Sequence, residues 1–293
     1  MIKLICSRRS ANEGFHHDFP PLTITSSGAV QTWTIDNQGV GNAITGLDFI
    51  EAFERAVHEA NRSTEVRAVI LTGAGKIFSS GGNVKEMADA EGGMFGLDPR
   101  AQRRAYVDSI QRIPRALDRL EVAIIAAVNG PAIGAGCDLA MMCDLRVASE
   151  KASFAESFVQ IGLIPGDGGT WFLPQAIGYE RAALMTLTGE RIDAATAKEW
   201  NMISTLVPHD DLLSEAMDIA ERIAENPLGI AADGQAAVAG VQNKFARDRA
   251  RHGCRHAATG PPRPPSTRSG WRGGGPNEHS AQRGGAPGSA HLR

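Results

Sequence analysis

Residues 122–149 read VAIIAAVNGPAIGAGCDLAMMCDLRVAS, an order that predicts a strand, a glycine-rich turn, a helix and a second strand. The continuous apolar run over residues 122–129 is typical of a strand buried on both faces of a sheet. The turn at residues 130–138 contains Gly130, Gly134 and Gly136. Glycines at this density let the backbone approach a ligand closely and leave N–H groups free to bind it. The dipole of the helix that follows adds attraction for negative charge.

A second glycine-rich turn, residues 78–83, lies within the stretch KIFSSGGNVK of residues 76–85. It follows an apolar segment over residues 66–72 that ends at Gly73 and predicts another strand. At both places a predicted strand is followed by a glycine-rich turn and then by a predicted helix, which suggests a repeated unit. If the turns face each other, their N–H groups would form an oxyanion hole, which stabilises negative charge that develops in a transition state. Neither turn has the lysine of a Walker loop or a dinucleotide fingerprint.

The rest of the patterned sequence alternates between strands and helices, which predicts α/β architecture. Apolar residues at spacings of three and four, beginning at Leu47, predict a first helix over residues 47–57. Further strands are predicted over residues 29–35 and 144–148, and further helices over residues 181–188, 194–200 and 211–225.

The charge of the chain is unevenly distributed. The formal net charge is −3, but residues 231–293 hold 10 basic and 3 acidic side chains, so residues 1–230 carry a net −10. The acidic part contains all the periodic apolar sequence, and we therefore expect no nucleic-acid partner for the core. The longest apolar run, residues 122–128, is too short to span a membrane, and no apolar signal segment follows Arg8 and Arg9.

The cysteines indicate neither a metal site nor a disulfide framework. The four are widely separated and show no paired metal-ligand spacing: Cys6, Cys137, Cys143 and Cys254. They are interpreted as reduced thiols, and the protein is expected in the cytoplasm without a membrane association.

We predict three regions, a loose leader over residues 1–20, a core over residues 21–230 and a basic tail over residues 231–293. Residues 251–293 hold 9 Gly and 6 Pro among 43 residues, and Leu292 is their only Leu, Ile, Val or Phe. Such a segment buries too little apolar surface to offset its chain entropy, so disorder is expected. It is either a basic tail that binds nucleic acid or a non-native, frame-shifted end, and its composition favours the second interpretation.

Together the turns resemble those of the crotonase superfamily, the enoyl-CoA hydratases and isomerases. The resemblance covers residues 22–228 and rests on Asn42-Ala43, VILTGAGKIFSSGGNVKEM, the stretch over residues 122–149, FVQIGLIPGDGGT and LTGERIDAATAKEWNMIS. It implies a crotonase-like α/β spiral of ββα units with peripheral C-terminal helices, assembled as a homotrimer or hexamer. It also implies acyl-CoA thioester substrates, with no cofactor beyond the CoA moiety and no metal.

The resemblance also implies roles for individual residues. It places the two oxyanion donors on the backbone N–H groups of Gly82 and Ala135, where Ala135 replaces the usual glycine but keeps the N–H. It places CoA or the acyl chain near four further residues, Ser80, Gly81, Gly134 and Phe158. Lys85 would lie near the phosphates of CoA, or would be an ordinary solvated lysine.

The acid/base residues depart from the hydratase pattern. The hydratases resembled here use two glutamates, of which the first corresponds to Asp138 and the second to Phe158, which cannot transfer a proton. Glu156 would point to the same face as Phe158 if this stretch is extended. Asp167 is similar in place to a carboxylate that dienoyl-CoA isomerases use. Each carboxylate also has a purely structural alternative. Asp138 could complement a helix dipole, Asp167 could be a turn residue, and Glu156 could be a solvated or ion-paired strand residue.

Two functions remain open from the sequence. The first is an enoyl-CoA hydratase/isomerase-type enzyme, in which Asp138 works with either Glu156 or Asp167 to hydrate an enoyl-CoA or to shift its double bond. The second is a degenerate family member that binds acyl-CoA without turning it over, an interpretation that Phe158 supports.

Overall fold

Strands and helices alternate along the computed structural model, which describes residues 16–83 and 98–226. The strands are β1 His16–Phe19, β2 Leu22–Ser27, β3 Val30–Ile35, β4 Ala68–Gly73, β5 Ala123–Val128, β6 Pro131–Ile133, β7 Leu145–Ser149, β8 Ser153–Ala155, β9 Arg191–Asp193 and β10 Thr205–Val207. The α-helices are α1 Leu47–Arg62, α2 Pro99–Asp108, α3 Arg112–Leu117, α4 Ala135–Met142, α5 Gly169–Ile177, α6 Tyr179–Thr188, α7 Ala194–Glu199 and α8 Leu212–Ala224. Across these described ranges, each helix is too short or too polar to cross a membrane.

The strands form two sheets. The larger sheet has seven strands in the order β1-β2-β3-β4-β5-β7-β10. It is antiparallel from β1 to β3 and parallel from β3 to β10. The smaller sheet has the order β6-β8-β9, with β6 parallel and β9 antiparallel to β8. Because β6 follows β5 after two residues, the second glycine-rich turn passes from one sheet to the other.

The central strands are buried on both faces, as the apolar run over residues 122–129 predicts. In β5, Ile124, Ala126 and Val128 belong to the main core, which also takes in the apolar face of α1. The alternate residues Ile125 and Ala127 belong to a second core, which α8 covers. This division follows from the strand period of two, because successive side chains point to opposite faces.

Two helices that the sequence pattern did not predict hold one wall of the site. Asp98 caps α2 by accepting hydrogen bonds from Arg100 N at 2.8 Å and Ala101 N at 3.2 Å, and proline occupies the first helical position. Helix α3 is tied to α1 by Arg112, whose Nε and Nη2 donate to the two oxygens of Glu54 at 3.1 and 2.5 Å. This paired contact fixes α3, and with it the end of α2, against the core.

The predicted α/β class is confirmed, with corrections to its details. Strands and helices form at every place predicted within the described ranges, and α1 extends five residues beyond residue 57, to Arg62. The unpatterned leader over residues 1–20 is wrong for His16–Phe19, which pair with β2. The helix expected after the first turn, Lys85 and the tail over residues 231–293 lie outside the described residues.

Candidate active site

The two glycine-rich turns lie against each other. The backbone N–H groups of Phe78 and Ser79 both donate to Pro131 O, at 3.1 and 3.2 Å, and Ile133 N donates back to Ser79 O at 2.9 Å. Ser79 and Ala132 form an isolated parallel bridge. These bonds join the segment after β4 to the strand β6, and they bring the backbone of the first turn beside the start of α4.

Glycine is required where the turns approach most closely. Gly81 has φ +78°, and a Cβ added there would lie 2.5 Å from Ile133 O and 2.8 Å from Ala135 N. A Cβ added at Gly136 would likewise overlap the carbonyl oxygen of Ser79. A side chain at either position would therefore force the two backbone segments apart.

Substituting Gly81 tests this approach directly. Gly81→Ala should destabilise the protein more than Gly28→Ala, whose added Cβ meets nothing within 4 Å although its φ is also positive, at +57°. The Gly28 variant should lose only the left-handed backbone cost of about 1–2 kcal/mol. The Gly81 variant adds overlap with two backbone atoms. Urea unfolding of both variants measures the difference, and equal losses would show that the turns can separate freely.

The backbone N–H groups of Gly82 and Ala135 are available to a ligand. Both residues line the cavity between the turns. Among the described residues, neither N–H donates to an acceptor, although the adjacent Gly81 N donates to Ser79 Oγ at 3.1 Å and Gly134 N donates to Ala155 O at 2.8 Å. Ala135 begins α4, so its N–H has no partner within the helix. The two donors that the resemblance implies are thus left free by the protein's own backbone.

The buried residues Asn42 and Ser79 hold the first turn in place through hydrogen bonds. Asn42 has φ +57°, and its Nδ2 donates to Ala74 O at 2.9 Å and to Ile77 O at 2.7 Å. The hydroxyl of Ser79 donates to Asn42 O at 2.7 Å. In the sequence, Asn42 contributes only to the family resemblance. A signal for its position in a turn was available, because asparagine tolerates the left-handed conformation better than most residues with a side chain.

The cavity beside these donors has a mostly apolar wall. Its apolar side chains include Ile110, Phe158, Ile161 and Leu163, while Tyr106 and Ser109 contribute polar groups from the end of α2. Tyr106 and Ile110 were not predicted as site residues from the sequence. A helical signal was available, because Tyr106, Ile110 and Ile113 follow spacings of four and three. Ser80 also lines the cavity, and its hydroxyl donates to Val40 O at 3.2 Å.

Three carboxyl groups from separate segments meet behind this cavity. Asp138 lies in the first turn of α4, Glu156 directly follows β8, and Asp167 precedes α5. Their exposed fractions are 0%, 1% and 4%. Asp167 alone among them lines the cavity. Asp138 contacts both Glu156 and Asp167 within hydrogen-bonding range, so the three form a series with Asp138 in the middle.

Most oxygens of this cluster accept no hydrogen bond from an N–H or O–H group of the described chain, carboxyl protons aside. Both carboxyl oxygens of Asp138, both of Glu156 and Oδ1 of Asp167 are buried without such a donor. An ionised carboxylate only accepts hydrogen bonds, so a bond between two carboxyl groups needs a proton on one of them.

Within the described ranges, no group of three or more His, Cys, Asp or Glu side chains has the geometry to hold a metal ion.

Burial is the main cause of the raised pKa of all three groups. The pKa of Asp138 is raised well above its usual range by desolvation and then by the neighbouring charges of Glu156 and Asp167. Desolvation raises the pKa of Glu156 to about 8; hydrogen bonds from Asp138 and Cys137 oppose this rise, and the charge of Asp167 adds to it. Desolvation also raises the pKa of Asp167, but hydrogen bonds from Asp138 and from the backbone N–H groups of Asp167 and Gly166 oppose it. These hydrogen bonds favour the ionised form of Asp167.

The raised pKa of Glu156 predicts lower stability at alkaline pH. The folded protein holds a proton on Glu156 up to about pH 8, whereas the ordinary value is 4.5. Between these values the folded state binds more protons than the unfolded state, so the free energy of unfolding falls as pH rises, by up to about 1.4 kcal/mol per pH unit for each proton. Urea unfolding from pH 5 to 9 measures this slope. Glu156→Gln should make the slope shallower, with the contributions of Asp138 and Asp167 remaining, and a flat wild-type profile would contradict the assignment.

The structure corrects the expected geometry around Glu156. The stretch does not stay extended, because β8 ends at Ala155 and Ser157–Ile161 form a 3-10 helix. As a result Phe158 lines the cavity and Glu156 lies behind it, rather than both lying on one face. The structural alternative for Glu156, a solvated or ion-paired strand residue, does not fit either, because Glu156 is buried and makes no ion pair within the described part of the chain. The ring of Phe158 packs on Gly134, where an added Cβ would lie 3.6 Å from Phe158 Cζ.

Comparison with known proteins identifies the family of the chain. A family model described as enoyl-CoA hydratase/isomerase matches residues 25–253. The chain is 35% identical over 225 residues to a probable mitochondrial enoyl-CoA hydratase of Dictyostelium discoideum, covering 76% of this chain and 77% of that protein. It resembles the crystal structure of an enoyl-CoA hydratase from Bacillus anthracis with a TM-score of 0.69 and 31% identity, over 80% of this chain and 91% of that one. It also resembles a monofunctional enoyl-CoA isomerase from M. smegmatis with a TM-score of 0.64 and 28% identity, over 81% and 99% of the two chains. The chain therefore belongs to the enoyl-CoA hydratase/isomerase family.

Proposed function

We propose that the chain is an acyl-CoA enzyme that shifts the double bond of an enoyl-CoA thioester, with Asp167 as the group that moves the proton. One observation carries this choice between isomerisation and hydration. Among the described residues, Asp167 is the carboxylate on the cavity wall, and the same wall carries Phe158, to which the resemblance assigns the place of the hydratases' second glutamate. A cavity wall that, over residues 16–83 and 98–226, carries one carboxylate in mostly apolar surroundings favours proton transfer along the acyl chain over the activation of water.

The proposed reaction begins at the α-carbon of a 3-enoyl-CoA. The Asp167 carboxylate removes a proton from C2, and the electron pair of the broken C–H bond moves toward the thioester carbonyl to give a dienolate. The N–H groups of Gly82 and Ala135 donate to the enolate oxygen, on which negative charge develops. The proton on Asp167 then bonds to C4, the electrons return from the oxygen, and the product is the conjugated 2-enoyl-CoA. No water enters or leaves.

The remaining site residues are proposed to hold the substrate. Ser80, Gly81 and Gly134 lie along the two turns and would contact the CoA moiety and the thioester through their backbones. Phe158 would pack on the acyl chain. Lys85 is proposed near the phosphates, where a point charge suits an anionic group. The reaction needs no cofactor other than the CoA carried by the substrate.

Two substrates distinguish the possible reactions. Purified protein is mixed with a 3-enoyl-CoA and, separately, with crotonyl-CoA, and the absorbance of the conjugated thioester is followed. A gain of absorbance from the 3-enoyl substrate is expected. A loss from crotonyl-CoA would mean hydration instead. No change with either, together with measurable CoA binding, would favour the degenerate family member, which Phe158 makes the second candidate.

The proposal extends to assembly and location. Large apolar side chains are exposed on α6 and the 3-10 helix before α5, including Tyr179 at 82% and Leu187 at 75%. A self-associated trimer or hexamer would cover part of this surface. Light scattering should then give three or six times the chain mass of 31.1 kDa, and the mass of a single chain would contradict it.

The proposed location is the cytoplasm. Cys137 and Cys143 are free thiols, which fits this location.

A further inference from the structure

We propose that Gln111 is a positioning residue, whose side chain holds the peptide between Gly166 and Asp167 so that the carboxyl group of Asp167 faces the cavity. The inference rests on the proposed function, in which Asp167 moves the substrate proton. Gln111 lies in the turn between α2 and α3 and directly precedes Arg112, the first residue of α3. Among the described residues that line the cavity Gln111 is not included, so it would act through Asp167 and would not touch the substrate.

The contact that carries this inference joins two segments that are 55 residues apart in the sequence. Nε2 of Gln111 donates a hydrogen bond to Gly166 O at 2.6 Å. The peptide between Gly166 and Asp167 is trans and planar, so the carbonyl of Gly166 and the N–H of Asp167 lie in one plane and point in opposite directions. A side chain that fixes this carbonyl therefore also fixes the orientation in which the chain enters Asp167.

Tyr106 holds the same loop on a second side. A Cβ added at Gly166 would lie 2.9 Å from Tyr106 Cε1 and 3.1 Å from Tyr106 Cδ1, so the ring packs directly on the backbone of the loop. Tyr106 and Gln111 are themselves joined, because Gln111 N donates to Tyr106 O at 3.1 Å. The end of α2 and the turn after it therefore contact Gly166 at two points, and this gives the loop a defined place against the cavity wall.

Arg115 determines which way the amide of Gln111 faces. Its Nη2 donates to Gln111 Oε1 at 3.2 Å, and its Nη1 donates to Val107 O at 3.0 Å. Because Oε1 accepts from the guanidinium, Nε2 is the amide atom that meets the carbonyl of Gly166, and the reversed amide would place oxygen against oxygen. Arg115 is thus bound to α2 and keeps Gln111 in the donating orientation.

The orientation of Asp167 matters because its carboxyl group lies between the cavity and a buried cluster. Asp167 lines the cavity, whereas Asp138 and Glu156 lie behind it. The backbone N–H groups of Gly166 and Asp167 donate to the carboxyl of Asp167 and lower its pKa, against the effect of burial. The Asp167 N–H belongs to the peptide that Gln111 holds. Without Gln111, this carboxyl would be placed less well for the substrate and would ionise less readily.

Gln111→Met tests the positioning role by kinetics, because methionine keeps the length of the side chain and has no amide. It should lower kcat for a 3-enoyl-CoA about 10–10²-fold, the scale of a displaced catalytic group, with KM nearly unchanged. Gln175→Met is the matched control, since Gln175 is exposed on α5 and its Nε2 donates to Trp171 O, at 3.2 Å, within the same helix. The control should keep wild-type kinetics. Wild-type kcat in Gln111→Met would overturn the inference.

Two further variants distinguish positioning from a general loss of structure. In an Asp167→Asn background, Gln111→Met should lower the residual kcat no further, because the group that it positions has been replaced. A further fall by the same factor in that background would contradict the proposal. Gln111→Glu keeps the shape of the side chain and the contact with Arg115, but an ionised glutamate cannot donate to Gly166 O. It should lose as much kcat as the methionine variant, and a glutamate variant with wild-type kcat would also contradict the proposal.

A titration without substrate separates this inference from the proposed reaction. Protein labelled with ¹³C at its Asp carboxyl carbons is titrated by NMR, and the Asp167 signal is assigned from its absence in Asp167→Asn. The midpoint of this signal should rise by about 0.5–1 pH unit in Gln111→Met, the scale of one hydrogen bond, and should stay unchanged in Gln175→Met. The neighbouring titratable groups, Asp138 of α4 and Glu156 after β8, are the same in both variants.

An unchanged Asp167 midpoint in Gln111→Met would overturn the inference, whatever reaction the protein catalyses. A wild type without isomerase activity would instead refute the proposed function, and the midpoint would still decide whether Gln111 positions the carboxyl group of Asp167.

Discussion

Replacing Asp167 with asparagine is expected to lower kcat for isomerisation of a 3-enoyl-CoA by about 10²–10⁴-fold, the range of a lost general acid–base group. Asparagine has nearly the same shape but cannot take a proton from C2. KM and the affinity for CoA should change little, because the backbone donors at Gly82 and Ala135 remain. Steady-state kinetics and CoA binding by calorimetry measure the two effects separately.

The matched control for this variant is Asp218→Asn, which makes the same chemical change at an exposed position of α8. It should keep wild-type kinetics. Asp167→Asn should also unfold no more readily than the wild type, since it removes a buried acid from the cluster. Wild-type kcat in the Asp167 variant would show that another group moves the proton, and the assignment to Asp167 would be wrong.

Removing one backbone donor is the second large effect. Ala135→Pro should lower kcat by about 10²–10³-fold, as expected for the loss of one oxyanion donor. The substitution is suited to this position because Ala135 begins α4, and proline is tolerated at the first position of a helix. The N–H that it deletes has no acceptor among the described residues, so no hydrogen bond of the fold is lost.

Ala135→Gly is the control for the proline variant. It keeps the N–H and places at residue 135 the glycine that the resembled enzymes usually carry, so kcat should stay within a few-fold of the wild type. Helix content by circular dichroism should be the same in both variants. Equal activity of the proline and glycine variants would mean that Ala135 N–H does not bind the developing oxyanion.

The sequence predicted the parts of the fold that carry a long local pattern. The apolar run that became β5 and the glycine-rich start of α4 are read from consecutive residues, because burial on both faces and close backbone approach each demand particular residue types. The strands β6, β8, β9 and β10 have three residues each and are too short to show a period. They form because the larger elements place them beside one another, a long-range effect that local patterns do not contain.

The candidate site also has parts that the local sequence predicts and parts that it does not. Gly81 marks the first turn in the sequence, because the approach of two backbones leaves no room for a side chain there. The association of Asp138, Glu156 and Asp167 could be suggested only by resemblance, since they lie on α4, after β8 and before α5. Which carboxyl faces the cavity depends on where β8 ends. The 3-10 helix after Glu156 turns Phe158 toward the cavity and leaves Glu156 behind it.

Mass spectrometry of the product formed from a 3-enoyl-CoA tests the central claim most directly. The account predicts a product of unchanged mass that gains the absorbance of a conjugated thioester, formed by the wild type and lost in Asp167→Asn. A product heavier by one water would show that hydration is the reaction. Unchanged substrate, with CoA binding intact, would show that the family's oxyanion site is retained here without turnover. Either result would contradict isomerisation through Asp167.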